Sequence, residues 1–310
     1  MPDKYTKAFF KKPLEFMKTY AIAPPDDAGS KGVNIAALDT TGFESTGSTH
    51  AKTNSVRYAG MKTGEKVAYI EFYKDMKMGG KSGASQEGIG VMRFDAGYDS
   101  TTGGTPIYFL PWDTSGAIIR LVIPRKGVNT PDPDIFFTAA INGCSVFFQG
   151  TPDHPTIYHA GGSSGESDHN QAAKFWRQAL RNHIANSATA TNRGGIVGEV
   201  NKTQYVKTPG TKGNSSTPQA EEYERHLKQK LDKTGKFTVT MVNPWGCVMG
   251  IRTGNNWMFY LQENATVICN IVTKTGVQTR YYAKPMSIRQ IFPGSGAIAS
   301  MRATVPVKVT

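Results

Sequence analysis

A cysteine and a histidine lie close together in a segment that reads as two strands joined by a turn. Cys144 follows Asn142-Gly143, and fifteen residues later His159 stands near the end of the second apolar run. A cysteine thiolate is a strong nucleophile, and a neighbouring imidazole can take the proton of the thiol. We therefore interpret Cys144 and His159 as a candidate nucleophile and its base.

The distance between Cys144 and His159 depends on how the two strands pair. A type I turn over residues 151–154 places His159 diagonal to Cys144, roughly 7–8 Å away. A ladder that starts at Gln149 and His154 places Cys144 directly opposite His159 instead. Both registers bring the thiol and the imidazole to one face of the sheet, whereas a slip of one residue separates them. His154 lies at the turn and is far from the cysteine in both registers.

An imidazole base usually needs a third group that orients it. Thr138, six residues before Cys144, can bring a hydroxyl within reach of the imidazole. Asn142 is the alternative, either as the orienting group or as a donor to an oxyanion. Gly143 lets the backbone approach a ligand and directs the N–H of Cys144 toward the developing oxyanion.

Other short motifs do not predict a cofactor or metal site. Residues 78–83, MGGKSG, fail as a phosphate-binding loop because Asp75 stands where the first glycine is required. Residues 160–167, AGGSSGES, are expected to form a connection that ends in a helix cap, with an anion cradle as the alternative. Cys247 and Cys269 lie inside apolar runs, where a cysteine is usually a small inert hydrophobe. We expect no cofactor and no metal, because the cysteines and histidines lack ligand spacing.

The elements that position these residues are mainly short strands. Apolar runs bounded by turn residues begin at Val67, and helical patterns interrupt them at about residues 168–186 and after Thr217. This predicts one α+β domain over residues 61–310, with a large, mainly antiparallel sheet or sandwich and flanking helices. Residues 187–235 are predicted to be a loop and helix insertion. Residues 1–60 are predicted to be a loop-rich arm with one helix, Leu14–Tyr20, that could serve secretion or translocation.

Composition restricts the partners. The chain of 310 residues has a formal charge of +12, but its lysines and arginines are spread out and no nucleic-acid-binding motif occurs. We expect a generally basic surface and no specific nucleic acid, with contact to an anionic membrane left open. No run of eighteen apolar residues is present, and the N-terminus lacks the apolar region of a classical signal peptide. Three widely spaced cysteines predict reduced thiols. A monomer is expected.

The cysteine segment resembles the glutamine deamidase toxins, the family of the cytotoxic necrotizing factor catalytic domain and the Burkholderia lethal factor. Residues 141–144, Ile-Asn-Gly-Cys, are similar to the Leu-Ser-Gly-Cys turn of that family, with Asn142 in place of serine. Residues 158–161, Tyr-His-Ala-Gly, resemble its histidine strand. Thr138 stands six residues before the cysteine, as does the third catalytic residue of the lethal factor. The resemblance covers about 25 residues.

The resemblance implies a β-sandwich-like fold and a secreted toxin or effector that acts in the host cytoplasm. The implied reaction is hydrolysis of a glutamine side-chain amide in a host protein, through a thioester on Cys144 with His159 as acid and base. Family targets are Rho-type GTPases and a translation initiation helicase, and the residues here do not select a substrate. The alternatives are a transglutaminase, another cysteine-dependent hydrolase or acyltransferase, and a non-enzymatic, basic, β-rich binding protein.

Overall fold

A computed structural model provides the fold. It describes residues 4–24, 35–37, 67–75, 91–97, 104–110, 118–128, 131–160, 169–186, 194–205, 225, 229, 237–274, 276–294 and 296–300.

Helices flank a β-rich body. The helices with described bounds are α1 (Lys4–Lys11), α2 (Pro13–Thr19), α3 (His169–Asn186) and α4 (Lys202–Tyr205). The first nine strands are β1 (Ile22–Ala23), β2 (Ile35–Ala37), β3 (Val67–Asp75), β4 (Val91–Gly97), β5 (Thr105–Leu110), β6 (Ile118–Val122), β7 (Ile135–Thr138), β8 (Ser145–Thr151) and β9 (His154–Ala160). The remaining strands are β10 (Ile196–Val200), β11 (Phe237–Thr253), β12 (Asn256–Thr273), β13 (Gly276–Phe292) and β14 (Gly296–Ser300).

The strands form two sheets. The nine-stranded sheet has the order β1-β4-β3-β5-β7-β11-β12-β13-β14, and the five-stranded sheet has the order β10-β8-β9-β6-β2. Neighbours are parallel in the pairs β1–β4 and β5–β7 and antiparallel in the other pairs. This confirms the predicted α+β fold with a large, mainly antiparallel sheet.

The two sheets pack face to face, with helices on the outside. The core between them takes Phe136 and Phe259 from the large sheet and Val146 and Phe148 from the small sheet. Helices α1 and α2 cover the outer face of the large sheet, and α3 covers the outer face of the small sheet. Because the central strands are covered on both faces, they read as continuous apolar runs instead of alternating ones.

The long strands differ from the pattern in the sequence. The runs at residues 237–243 and 247–252 read as separate strands because Pro244 lies between them, yet they form the single strand β11. Strand β11 pairs with β7 only at Met249–Ile251, so at Pro244 one side of β11 lies outside that ladder. A strand tolerates proline where the missing N–H has no ladder partner to lose.

The N-terminal segment also differs from the predicted arm. The single helix expected at Leu14–Tyr20 is present as α2, but α1 precedes it and both helices pack on the large sheet. Phe9 is fully buried and Phe16 is nearly so. The apolar face of α1 is hard to recognise in the sequence, because lysines alternate with the aromatic residues. The rest of residues 1–60, apart from β1 and β2, lies outside the described residues.

The predicted insertion contributes part of the small sheet. Strand β10 pairs with β8 along its length, and α4 follows β10 directly. The helix predicted after Thr217 is represented by Arg225 and Gln229, which are both helical, and its other residues lie outside the described part of the chain.

Candidate active site

The cysteine lies on a crossover between the two sheets. Strand β7 of the large sheet ends at Thr138, and β8 of the small sheet begins at Ser145. Midway, Ile141 exchanges two backbone hydrogen bonds with Gly246 of β11, at 2.9 and 2.8 Å. A Cβ atom at Gly246 would lie 2.8 Å from Cγ1 of Ile141, so only glycine permits this approach. The crossover is therefore fixed to the large sheet just before the cysteine.

The turn that carries the cysteine lies at the surface. Asn142 and Gly143 are exposed, whereas Cys144 is only 5% exposed. Gly143 has φ of 110°, a conformation that residues with a side chain rarely adopt. The turn therefore presents exposed backbone beside a thiol that points into the inter-sheet core, where Cys144 packs with Val146.

The strand register brings His159 to the same face as Cys144. Thr151 pairs with His154 and Val146 pairs with His159, which is the first of the two predicted registers. On the other side of β9, His159 pairs with Ile119 of β6. Side chains of directly paired residues share a face, and both partners of His159 belong to the inter-sheet core. The imidazole and the thiol are thus diagonal neighbours in this core.

The imidazole of His159 is buried and has no hydrogen-bond partner at either ring nitrogen. The side chain is 1% exposed, and the loss of solvent lowers its pKa from 6.5 to about 3. At neutral pH the ring is therefore uncharged and able to accept a proton. No hydrogen bond joins it to the thiol of Cys144 here. Such bonds are often long in enzymes without substrate.

Thr138 lies in the same core, but its hydroxyl is engaged elsewhere. Within β7, Phe136 faces the small sheet and Phe137 faces the helices, so alternation places Thr138 toward the small sheet. Its hydroxyl donates to the carbonyl of Ala139 at 2.7 Å, and it makes no hydrogen bond to His159. The structure thus brings Thr138 to the correct face without the contact that a third catalytic residue requires.

A residue not predicted from the sequence, Tyr205, holds the cysteine turn from both sides. Its hydroxyl accepts a hydrogen bond from the N–H of Gly143 at 2.8 Å and donates one to the carbonyl of Cys144 at 2.9 Å. Tyr205 is fully buried. This contact engages the N–H of Gly143, whereas the predicted oxyanion donor at the turn is the N–H of Cys144.

Helix α4 places Tyr205 at the end of the small sheet. Val200, the last residue of β10, pairs with Val146, so α4 emerges beside the start of β8. Asn201 caps α4, and the side chain of Gln204 accepts a hydrogen bond from the N–H of Asn201 at 3.1 Å. This Asn-x-x-Gln spacing is half of a capping box, and it was the signal in the sequence that could have revealed α4.

Burial changes the pKa values of ionisable side chains in the core. Burial raises the pKa of Tyr205 well above its usual range, and the negative charge of a Cys144 thiolate would raise it further. Tyr205 therefore stays a neutral phenol that can donate and accept at once. Burial alone also raises the pKa of Cys247 well above its usual range, which keeps that thiol protonated and inert.

The remaining cysteines and helices add no site. None of the three cysteines forms a disulfide, and Cys247 and Cys269 are fully buried. Within the described residues, no group of three or more histidine, cysteine, aspartate or glutamate side chains is arranged to hold a metal ion. None of the helices in the described part of the chain has the length and apolar character to cross a membrane.

The chain is distantly similar in structure to a solved protein domain. No protein-family profile matches the sequence, and no curated protein does. The fold is similar to the crystal structure of the C-terminal domain of CNFy from Yersinia pseudotuberculosis, with a TM-score of 0.34 and 10% sequence identity. The alignment covers 93% of this chain and 97% of that one.

Proposed function

We propose that this protein is a cysteine-dependent protein-glutamine deamidase that acts as a toxin or effector on a host protein. The observation that carries the proposal is the register of β8 and β9, which puts Cys144 and His159 on one face beside an exposed glycine turn. The resemblance of residues 141–144 and 158–161 to the glutamine deamidase toxins supplies the reaction class. Rho-type GTPases and translation factors are the target classes that this resemblance suggests.

The resting pair is a neutral thiol beside a neutral imidazole. Because burial lowers the pKa of His159 to about 3, an isolated imidazolium is unfavourable at this position. A thiolate formed at the same time would stabilise the imidazolium by direct attraction in a medium of low dielectric. The proton therefore moves from Cys144 to His159 as the substrate is attacked, and both charges appear together.

The reaction then follows in two halves. The sulfur of Cys144 attacks the carbon of the glutamine carboxamide, and the oxyanion forms at the surface of the turn. His159 returns its proton to the nitrogen, ammonia leaves, and a thioester remains. His159 then takes a proton from water, the hydroxide attacks the thioester, and the glutamate side chain leaves as the thiol is protonated again.

Three further residues have proposed roles in this scheme. Thr138 would orient the imidazole after its hydroxyl leaves the carbonyl of Ala139. The N–H of Cys144 is the candidate oxyanion donor, and the exposed amide of Asn142 is the alternative. Gly143 supports the turn through its positive φ.

The decisive experiment compares host-cell lysate treated with the wild-type protein, Cys144→Ser and Cys247→Ala. Mass spectrometry should find glutamines converted to glutamate with the wild type and with Cys247→Ala. It should find none with Cys144→Ser, although circular dichroism shows that this variant is folded. Conversion by Cys144→Ser, or no conversion by any protein, would contradict the proposal.

The same lysate separates deamidation from transglutamination. A transglutaminase shares the thioester and resolves it with an amine instead of water, so a fluorescent primary amine is added in excess. We expect conversion to glutamate with little incorporation of the amine. Incorporation into proteins that depends on Cys144 would identify a transglutaminase.

A further inference from the structure

We propose that Tyr205 is a positioning residue that holds the Gly143–Cys144 turn in the geometry needed for attack. The inference rests on the proposed function, since it assigns Tyr205 a role in presenting Cys144 to His159. Nothing in the resemblance to the deamidase toxins points to this residue, because it lies 61 residues after the cysteine, outside the segment that resembles them.

The contacts of Tyr205 suit a clamp on the turn. A single hydroxyl binds the N–H of Gly143 and the carbonyl of Cys144, on either side of the peptide bond that joins them. Water would be a readily replaced partner for the backbone groups of a loop. Here the partner of both groups is the hydroxyl of a fully buried tyrosine. The two hydrogen bonds fix the position and orientation of the Gly143–Cys144 peptide. That orientation sets the direction of the Cα–Cβ bond of Cys144.

Hydrogen bonds on the outer face of the small sheet hold the helix that carries Tyr205 in place. Arg177 of α3 donates two hydrogen bonds to the carboxylate of Glu199 in β10, at 2.6 and 2.7 Å. The same carboxylate accepts a hydrogen bond from the side chain of Asn201 at 3.0 Å, and Asn201 caps α4. Hydrogen bonds thus connect α3 to β10, and β10 to the residue that precedes α4, which carries Tyr205. A short helix of one turn gains its fixed position from these contacts.

The test measures the alkylation of Cys144 by iodoacetamide across pH, with Tyr205→Phe as the main variant. With the clamp intact, Cys144 stays on the sheet face that carries His159, so the imidazole can take the proton of the thiol as the sulfur attacks the reagent. Without the clamp, Cys144 moves away from His159 and the midpoint of alkylation should rise by about one pH unit. Below the midpoint this makes alkylation about tenfold slower, because the thiolate is the reactive form. Peptide mass spectrometry reads Cys144 separately from Cys247 and Cys269.

Two further variants serve as a control and as an indirect test of the clamp. Tyr260→Phe removes another buried phenol hydroxyl, whose partner is the sulfur of Met258 at 3.6 Å on the far side of the large sheet, and it should leave the midpoint unchanged. Arg177→Met breaks the support of α4 while keeping Tyr205, and it should raise the midpoint in the same direction but by less. It remains informative if Tyr205→Phe does not fold.

Hydrogen exchange at the Gly143 amide and the variant His159→Leu separate this inference from the proposed function. Faster exchange at Gly143 together with a raised midpoint in Tyr205→Phe supports the clamp. If His159→Leu leaves the midpoint unchanged while Tyr205→Phe still accelerates exchange and alters Cys144 alkylation, the clamp stands and the Cys-His pair fails. If Tyr205→Phe lowers thermal stability alone, with the midpoint of Cys144 as in wild type, the positioning role is overturned.

Discussion

Among the described residues, His159 is a buried side chain whose surroundings differ from those of an ordinary core residue. Both ring nitrogens lack a partner although the residue is 1% exposed. A buried polar group without a hydrogen bond costs about 1–3 kcal/mol relative to an apolar group of the same shape. A group retained at such a cost is a candidate for function, because activity often requires a locally unfavourable arrangement.

The variant His159→Leu should therefore be more stable than the wild type at neutral pH. We expect a gain of about 1–3 kcal/mol in the free energy of unfolding, with loss of deamidation. Urea denaturation at pH 7.5 measures the first quantity, and the lysate assay measures the second. A destabilised His159→Leu would mean that the imidazole has a partner in solution.

The pH dependence of stability gives a second test of His159. Its pKa is about 3 in the folded protein and near 6.5 when exposed, so the unfolded chain binds more protons between these values. The part of the folding stability that depends on a neutral His159 is fully present above pH 6.5. It is lost as the pH falls toward 3. The wild type should lose stability relative to His159→Leu as the pH falls through this window, by on the order of 1 kcal/mol per pH unit.

Thr138 gives a residue-scale test of the third catalytic role. Replacing it by valine keeps the shape and removes the hydroxyl, and we expect activity to fall on the order of tenfold to a hundredfold through misplacement of His159. Thr138→Ser keeps the hydroxyl and should retain most activity. Loss of the bond to Ala139 should itself cost only about 1 kcal/mol of stability. Equal activity of Thr138→Val and wild type would remove Thr138 from the site.

At the scale of elements, the site depends on the crossover from β7 to β8. The crossover is fixed where Ile141 and Gly246 exchange hydrogen bonds, directly before the cysteine turn. The register of β8 and β9 then sets where His159 lies relative to Cys144. The site is therefore assembled from both sheets, and a shift of either sheet would move the thiol relative to the imidazole.

Gly246→Ala tests this dependence. The added methyl would lie 2.8 Å from Cγ1 of Ile141 and 3.2 Å from Cδ1 of Leu261, so the crossover must move. We expect a loss of about 1–3 kcal/mol in the free energy of unfolding, as for other overpacked cores, and reduced deamidation. Gly195→Ala is the matched control, because its Cβ meets nothing within 4 Å. If Gly246→Ala behaves like Gly195→Ala, the crossover is not held as described.

Elements with local signals could be predicted from the sequence, and those set by distant contacts could not. The apolar runs predicted β7, β8 and β9, and turn chemistry at residues 151–154 gave one of two registers, which the structure confirms. The packing of α1 could not be predicted, since its lysines hide the buried Phe9. Tyr205 could not be assigned either, because its contact with Cys144 spans 61 residues and depends on how β10 joins the sheet.

At the scale of the whole molecule, the N-terminal helices are part of the folded body. One buried side chain, Gln262 of β12, makes three hydrogen bonds to the backbone of this segment. Its amide nitrogen donates to the carbonyls of Met17 and Tyr20, at 2.7 and 2.8 Å, and its oxygen accepts from the N–H of Ile22 at 3.0 Å. Residues 4–23 thereby close the outer face of the large sheet. Any proposed role of this segment in secretion or translocation must include its release from Gln262.

Gln262→Ala is therefore expected to destabilise the whole domain. Three backbone groups of the N-terminal segment lose their partner, and each of the two buried ones costs about 1–3 kcal/mol. We expect a loss of at least roughly 2 kcal/mol in urea denaturation, together with faster proteolysis between α2 and β1. Gln178→Ala, at an exposed position of α3, should stay within about 0.5 kcal/mol of wild type. A Gln262→Ala protein as stable as this control would show that residues 4–23 form a separable arm, as the sequence alone suggested. Faster proteolysis without a loss of global stability would place the release of this segment below the free energy of complete unfolding.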